Sequence, residues 1–244
     1  DRHVFRMDQD ALVVWRKPWF LSFSAYVCEP ADNRWRQDRQ NFVSVFHDKT
    51  GLIIGGGNTK LQPLWSTCTV GDTSLLFHTP GEEEPDFSSR DGLQHVPDAA
   101  VPGNDEDAPS LTLSYGEERF EITCRPESDT ELTLICEATT VSGLPVEGHL
   151  TLLPHLGKIL CLSSGTETVL GEDAVVWNSD GDAGRLEHAG WRLILPPGAR
   201  LIWPVLPHNP YRKLGDATIE EARIVVVLPF SEDVDRHEMM LTVS

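Results

Sequence analysis

The chain has 244 residues, with 38 acids against 20 Lys plus Arg, and a formal net charge of −18. A field of that sign repels phosphates, so DNA, RNA and anionic membrane surfaces are poor partners. Seven Trp, nine Phe and a hydrophobic share of 40% describe a folded domain, and no apolar run reaches the ~20 residues that cross a bilayer as a helix.

The opening residues Asp1-Arg2-His3-Val4-Phe5-Arg6 carry neither an initiator Met nor a signal-peptide pattern, and we expect the chain to belong to a longer parent protein. Short β segments follow at 11–15 and 20–27. Residues 33–68 are the most informative stretch, because strand signals there interleave with amide, guanidinium, imidazole and indole groups that a bare core does not need. Asn41 to His47 alternates Phe42, Ser44 and Phe46 against Val43, Val45 and His47, the two-residue period of a strand with unlike faces. Asp48-Lys49-Thr50-Gly51 turns the chain into Leu52-Ile53-Ile54, which predicts a hairpin.

Gly55-Gly56-Gly57 is not a phosphate loop: no Gly-Lys-Ser/Thr follows, and Pro63 forbids a useful helix. It reads as a bulge or a close approach. Asn58, Lys60, Gln62 and Trp65 beyond it form a candidate sugar-binding group, the indole as an apolar platform and the others as hydrogen-bonding groups. A solvated loop with one core Trp is the alternative reading. Arg39, Asn41 and His47 have even spacing and share one strand face, which is either a binding face, with Asn58 and Lys60 alongside, or plain solvation of a sheet.

Between Phe77 and Pro109 nine acids stand against the single base Arg90, with five prolines among them. We expect a long surface excursion dispensable for folding, such that a Gly/Ser linker could replace Glu82–Asp107. Cys28, Cys68, Cys124, Cys136 and Cys161 show no C-x-x-C spacing. Isolated buried thiols are expected, with a Cys124–Cys136 disulfide as the alternative.

Strand segments continue at 111–115, 119–124, 131–137, 148–153, 159–162, 174–177, 191–195, 200–203, 223–229 and 239–243. Asn178-Ser179-Asp180-Gly181-Asp182 resembles the start of a calcium loop but lacks its sixth-position Gly and twelfth-position acid, so it reads as a turn. His208, Asn209, Tyr211, Arg212 and Lys213 crowd one Pro-bounded loop, which is either a grip for an acidic sugar or an ordinary hydrogen-bonded loop. The one helical turn is expected over Asp216–Arg223, capped by Asp216. Closely spaced strands without alternating helices predict an all-β fold in one domain over 1–244: a large antiparallel β-sandwich with long loops and little helix.

The hairpin FHDKTGLIIGGGNTKLQPLWST, the later LPHNPYRK and the terminal LPFS strand resemble the C-terminal β-sandwich region of heparinase II/III-like polysaccharide lyases and related bacterial proteins. The resemblance implies a super-sandwich fold packed against an N-terminal helical toroid of the same parent. It also implies a polysaccharide or oligosaccharide partner and a secreted or periplasmic bacterial setting. His47 becomes the first candidate for a cleft histidine. β-Elimination beside a uronate needs a carboxylate-neutralising group, a base and an acid, and Tyr211 is the candidate acid.

The binding set is then Arg39, Asn41, Asn58, Lys60, Gln62, Trp65, His208, Asn209 and Arg212. No cofactor and no metal-ligand set is expected, with a structural ion left open. The implied function is a cleft-completing domain for an acidic polysaccharide, inactive alone. The alternatives are a free-standing carbohydrate-binding module, stacking sugars on Trp35, Trp65 or Trp203, and a mutarotase-like sugar epimerase using His and Glu.

Overall fold

A computed structural model of the chain describes residues 2–27, 41–55, 62–75, 92–179, 181–209 and 211–244. Within these residues the fold is two stacked antiparallel sheets and three single 3₁₀ turns.

The chain first lays down β1 (Arg2–Met7), β2 (Ala11–Arg16), β3 (Trp19–Ala25), β4 (Asn41–His47), β5 (Gly51–Ile54), β6 (Cys68–Gly71) and β7 (Leu93–Gln94), all in the larger sheet. It crosses to the smaller sheet for β8 (Ala99–Pro102), β9 (Ser110–Tyr115), β10 (Glu118–Pro126) and β11 (Glu131–Thr139). The sheets then alternate. β12 (Val146–Leu152), β15 (Val175–Asn178), β18 (Arg200–Val205) and β19 (Arg223–Phe230) join the larger sheet. β13 (Ile159–Leu162), β14 (Glu167–Val169), β16 (Gly184–His188), β17 (Trp191–Leu195) and β20 (Arg236–Val243) join the smaller one.

The larger sheet runs β1-β2-β3-β4-β5-β12-β19-β18-β15, and the smaller β14-β13-β16-β17-β20-β11-β10-β9-β8. β5 meets β12 only at Ile54 opposite Leu152, whereas β6 takes the other end of the same edge, with Thr69 opposite Glu147. Past β5, the described residues Gln62–Thr67 lead the chain back to the sheet beside β12. That return positions the candidate site.

The alternation read in the sequence is the cause of the sandwich. Along β4, Asn41, Val43, Val45 and His47 face inward while Phe42, Ser44 and Phe46 face out, and the same period holds in β3, β10 and β20. The inner faces meet in one core that includes Trp19, Phe23, Trp203 and Phe120. Each fully buried side chain of this kind contributes about 1.5–3 kcal/mol by leaving water. Gly148 is fixed by this packing: a Cβ there would stand 2.7 Å from the Phe120 ring, which packs edge-to-face on Phe230 at 5.9 Å.

The expected strands at 41–47, 159–162 and 191–195 coincide with the observed ones. β1, β6, β7, β8, β14 and β16 were not anticipated. They are short, or at sheet edges, or carry charge on one face, so their hydrophobic alternation is weak and tertiary pairing decides them. Two of them, β7 and β8, lie in the acidic excursion. Residues 92–109 bury Leu93, His95 and Pro102, and β8 pairs with β9 along Ala99–Pro102. This half of the excursion is thus part of the sandwich, while 76–91 lie outside the described residues. The helical turn is Ile219–Glu221 and begins two residues after the expected cap, at Thr218, whose N–H donates to Glu221 Oε2 at 2.8 Å.

Cys68, Cys124 and Cys136 are buried free thiols, and Cys161 is free and partly exposed. Cys124 stands opposite Leu134, and Cys136 opposite Ile122, so the β10–β11 pair does not set the two sulfurs facing. Burial is the main cause that pushes all three buried thiols well up.

Candidate functional site on the outer face of the larger sheet

Asn41 and His47 do share one strand face, and it is the inward one, continuous with Val43 and Val45. Both nitrogens of His47 are engaged: Nε2 lies 2.9 Å from the Asp129 carbonyl and Nδ1 accepts the Lys49 N–H at 3.1 Å. The ring also stands edge-on to Trp19 at 4.6 Å. This geometry is that of a histidine tying β4 to the β10–β11 turn. Asn41 accepts the Thr67 hydroxyl on its backbone carbonyl at 2.8 Å, which holds the segment before β6. Arg39, Asn58 and Lys60, together with Trp35 and Cys28, lie outside the described residues.

Gln62 and Trp65 are brought to the His208–Lys213 loop. Gln62 Nε2 donates to the Leu206 carbonyl at 3.1 Å, and Trp65 Nε1 to the Val205 carbonyl at 3.1 Å. Trp65 is only 4% exposed. It packs with Val205, Val225 and Val227 in a small second core on the outer face of the sheet, and the Arg223 guanidinium lies 5.0 Å over its ring. The indole therefore has no face to offer a sugar. Trp203 is likewise buried, its Nε1 donating to the Gly171 carbonyl.

In the loop itself His208 is buried, Asn209 Nδ2 donates to Glu221 Oε1 at 2.5 Å and Arg212 pairs with Glu221 at 3.7 Å. Tyr211 is 85% exposed. The loop's amide and one of its cations are thus committed to Glu221, a residue the sequence reading did not single out.

A different group of residues converges where Gln62–Thr67 lies over β12. On that strand Val146, Gly148, Leu150 and Leu152 face the core, so Glu147, His149 and Thr151 share the outer face. Register extends this face sideways. Thr69 stands opposite Glu147, while His149 is level with Val227, and Val227 with Arg200. His149 Nδ1 lies 2.9 Å from the Ser66 carbonyl. A carbonyl only accepts, so Nδ1 carries the proton and Nε2 points its lone pair, or a second proton, at Glu147. Glu147 Oε2 is 3.8 Å from that nitrogen, and Oε1 is 3.7 Å from Arg200 Nη2. The His149 ring, then Arg200, hold the Glu147 carboxyl below the ordinary carboxylate range, against the opposing effects of burial and of Asp72.

This face also concentrates unmet polarity. Ser66 Oγ, Thr69 Oγ1, Glu147 Oε2, His149 Nε2 and Arg200 Nε are buried atoms without a hydrogen-bond partner among the described residues, the 3.8 Å contact being longer than a hydrogen bond. Buried polar groups are nearly always paired, with protein or with ordered water, so these five atoms are where water or another small polar group can donate or accept a hydrogen bond. His149, Ser66, Thr67 and Trp65 border a pocket of about 10 Å³ that Phe42 also lines. At the surface the reachable groups are Glu147 and Arg200, with side chains 21% and 41% exposed. A carboxylate accepts hydrogen bonds and a guanidinium donates them, so the pair can meet a ligand that offers both.

The signal for this site was present in Val146–Leu152, where Glu, His and Thr recur every second residue against Gly and Leu. Ser66, Thr69 and Arg200 had no such signal. Among the described residues no group of three or more His, Cys, Asp or Glu is placed to hold a metal ion.

No family model and no curated protein matches this sequence. Solved structures do match in fold. A protein assigned as an aldose 1-epimerase from Escherichia coli K12 superposes on 100% of this chain and 99% of its own at a TM-score of 0.54 and 10% identity. Heparinase III superposes on 100% of this chain at a TM-score of 0.55 and 11% identity, and the chain spans 36% of that protein's length. The chain therefore has the antiparallel sandwich fold found in both, whole in the first and as one part of the second.

Proposed function

We propose that this chain is a carbohydrate-recognition β-sandwich that holds a saccharide against the outer face of its larger sheet, at Glu147 and Arg200 with His149 behind them. The observation that carries the reading is the partly exposed carboxylate–guanidinium pair of Glu147 and Arg200, 3.7 Å apart, with the polar groups of His149, Ser66 and Thr69 beneath it. Both structural neighbours bear the names of sugar-acting proteins, which is in keeping with it. Glu147 and Asp72 against the single guanidinium of Arg200 leave the site with an excess of acid, which favours a neutral sugar over an acidic one. A domain that binds and helps to form a cleft, without turnover of its own, needs nothing more than this geometry.

The test is calorimetric titration of the wild type, Glu147→Gln and Arg200→Ala with neutral mono- and disaccharides. The wild type binds at least one of them, and each variant loses about tenfold or more in affinity. Equal affinity in all three proteins removes this face as the site.

A mutarotase-like epimerase is the second reading, favoured by one observation: the accessible Glu147 carboxylate stands 3.8 Å from the imidazole of His149, which is itself fully buried and has its tautomer fixed from behind. Opening a hemiacetal ring needs one proton taken from the anomeric hydroxyl and one given to the ring oxygen. Polarimetry of freshly dissolved glucose and galactose decides it, since only a mutarotase accelerates the decay and loses that acceleration in Glu147→Gln.

A further inference from the structure

The half of the larger sheet away from Glu147 carries a second feature of its outer face. Register aligns His3 with Trp15, Trp15 with Phe20, Phe20 with Phe46, and Phe46 with Leu52, one residue from each of β1 to β5. Trp15 and Phe20 are 39% and 40% exposed, and His3 stacks on the indole at 5.3 Å. The next row aligns Phe5 with Val13, Val13 with Ser22, and Ser22 with Ser44. Neither row contains an Asp, Glu, Lys or Arg, in a chain where these make up 24% of residues. Arg2 and Arg6, at the edge, are drawn away to Asp107 and to the Gly103 carbonyl. Exposed apolar side chains grouped without charge, here Trp15, Phe20, Leu52 and Phe5, are the usual mark of a recognition surface.

We infer that this row is a platform for an unbranched neutral glycan, lying across the strands and continuing the saccharide site. Successive strands are about 4.8 Å apart, close to the advance of one hexose in an extended β-linked chain, so Trp15, Phe20 and Phe46 meet successive sugar rings on their apolar faces. The Ser22–Ser44 hydroxyls run parallel to them and match the hydroxyl rim of the sugars. A second copy of this chain would instead bury those hydroxyls against apolar surface at a net cost. The absence of charge selects a neutral chain. The platform leads toward the Glu147 end through Phe42, which is on the same outer face of β4 and borders the pocket shared with His149 and Trp65.

The inference rests on the saccharide reading above, and its test separates the two. Cellohexaose, xylohexaose and mannohexaose are titrated into the wild type, Trp15→Ala/Phe20→Ala, Trp15→Phe and Glu147→Gln, with the corresponding disaccharides in parallel. At least one hexasaccharide binds the wild type and loses about tenfold or more in affinity with the double variant, while Trp15→Phe retains most of it. Disaccharide affinity and melting temperature are unchanged in the double variant.

Loss of hexasaccharide affinity in the double variant stands as support even if Glu147→Gln has no effect, a result that would sink only the Glu147 site. Equal hexasaccharide affinity of wild type and double variant overturns the platform, as does a wild type that binds none of the three. A wild-type dimer in sedimentation that the double variant dissociates, without glycan binding, reassigns the row to self-association and also overturns it.

Discussion

Glu147 and His149 stand two residues apart on β12, and the carboxylate oxygen of one lies 3.8 Å from Nε2 of the other while the Ser66 carbonyl fixes the opposite ring nitrogen. The pair is held on the outer face because Gly148 between them yields its core position to Phe120. A carboxylate with a lowered folded pKa binds fewer protons than it does unfolded, so its contribution to stability is present above the ordinary carboxylate range and is lost as the pH falls through the lower folded value. At neutral pH, Glu147→Gln should therefore cost about 1–3 kcal/mol. Urea denaturation of both proteins from pH 7 downward should show the gap closing in acid. A gap that stays constant across that range would mean that the carboxylate charge has no partner in the folded state.

Glu118 gives a second expectation. It is 3% exposed, and its carboxylate accepts the N–H of Val141 at 2.9 Å and of Ser142 at 2.6 Å. Burial raises its pKa, and the bonds from Ser142 and Val141 outweigh that and leave it lowered. Glu118→Ala strands two backbone donors in the β11–β12 connection and should destabilise the chain by about 1.5–3 kcal/mol. Glu118→Gln, which keeps one acceptor, should fall between the two. Equal midpoints of chemical denaturation for all three would show the turn to be indifferent to its anchor.

The acidic excursion divides into two parts with opposite expected behaviour. Replacing Leu93–Asp107 with a Gly/Ser linker removes the β8–β9 pairing, the buried Leu93, Pro97 and Pro102 and the partners of Arg2. It should lower stability by several kcal/mol. Replacing Glu82–Arg90 alone should leave cooperative melting intact, as the composition of that stretch predicts. Differential scanning calorimetry of the two variants checks both halves, and equal melting of the Leu93–Asp107 replacement and the wild type would return the whole excursion to the status of a tether.

Much of the architecture follows from local pattern. Val43 and Val45 against Phe42 and Phe46, and Leu193 and Leu195 against Arg192 and Ile194, carry the two-residue period that makes a strand, and their number and spacing make an antiparallel sandwich. The same period placed Asn41 and His47 on one face, since alternation is a property of a single strand. Which face turns inward is not. That depends on the second sheet, which closes over Val43 and Val45, so His47 became a strut to Asp129 and not a group in a cleft.

Trp65 shows the same division. Its indole was legible as a large amphipathic group, but only the return of the chain beside β12 sets it on Val225 and Val227, under Arg223. Glu147, His149 and Thr151 were legible as an outward row. Their partners were not, because Ser66, Thr69 and Arg200 reach them through pairings between segments tens of residues apart. Tertiary structure alone decides such pairings, through the joint burial of two sheet faces and not through any preference of the short segments themselves.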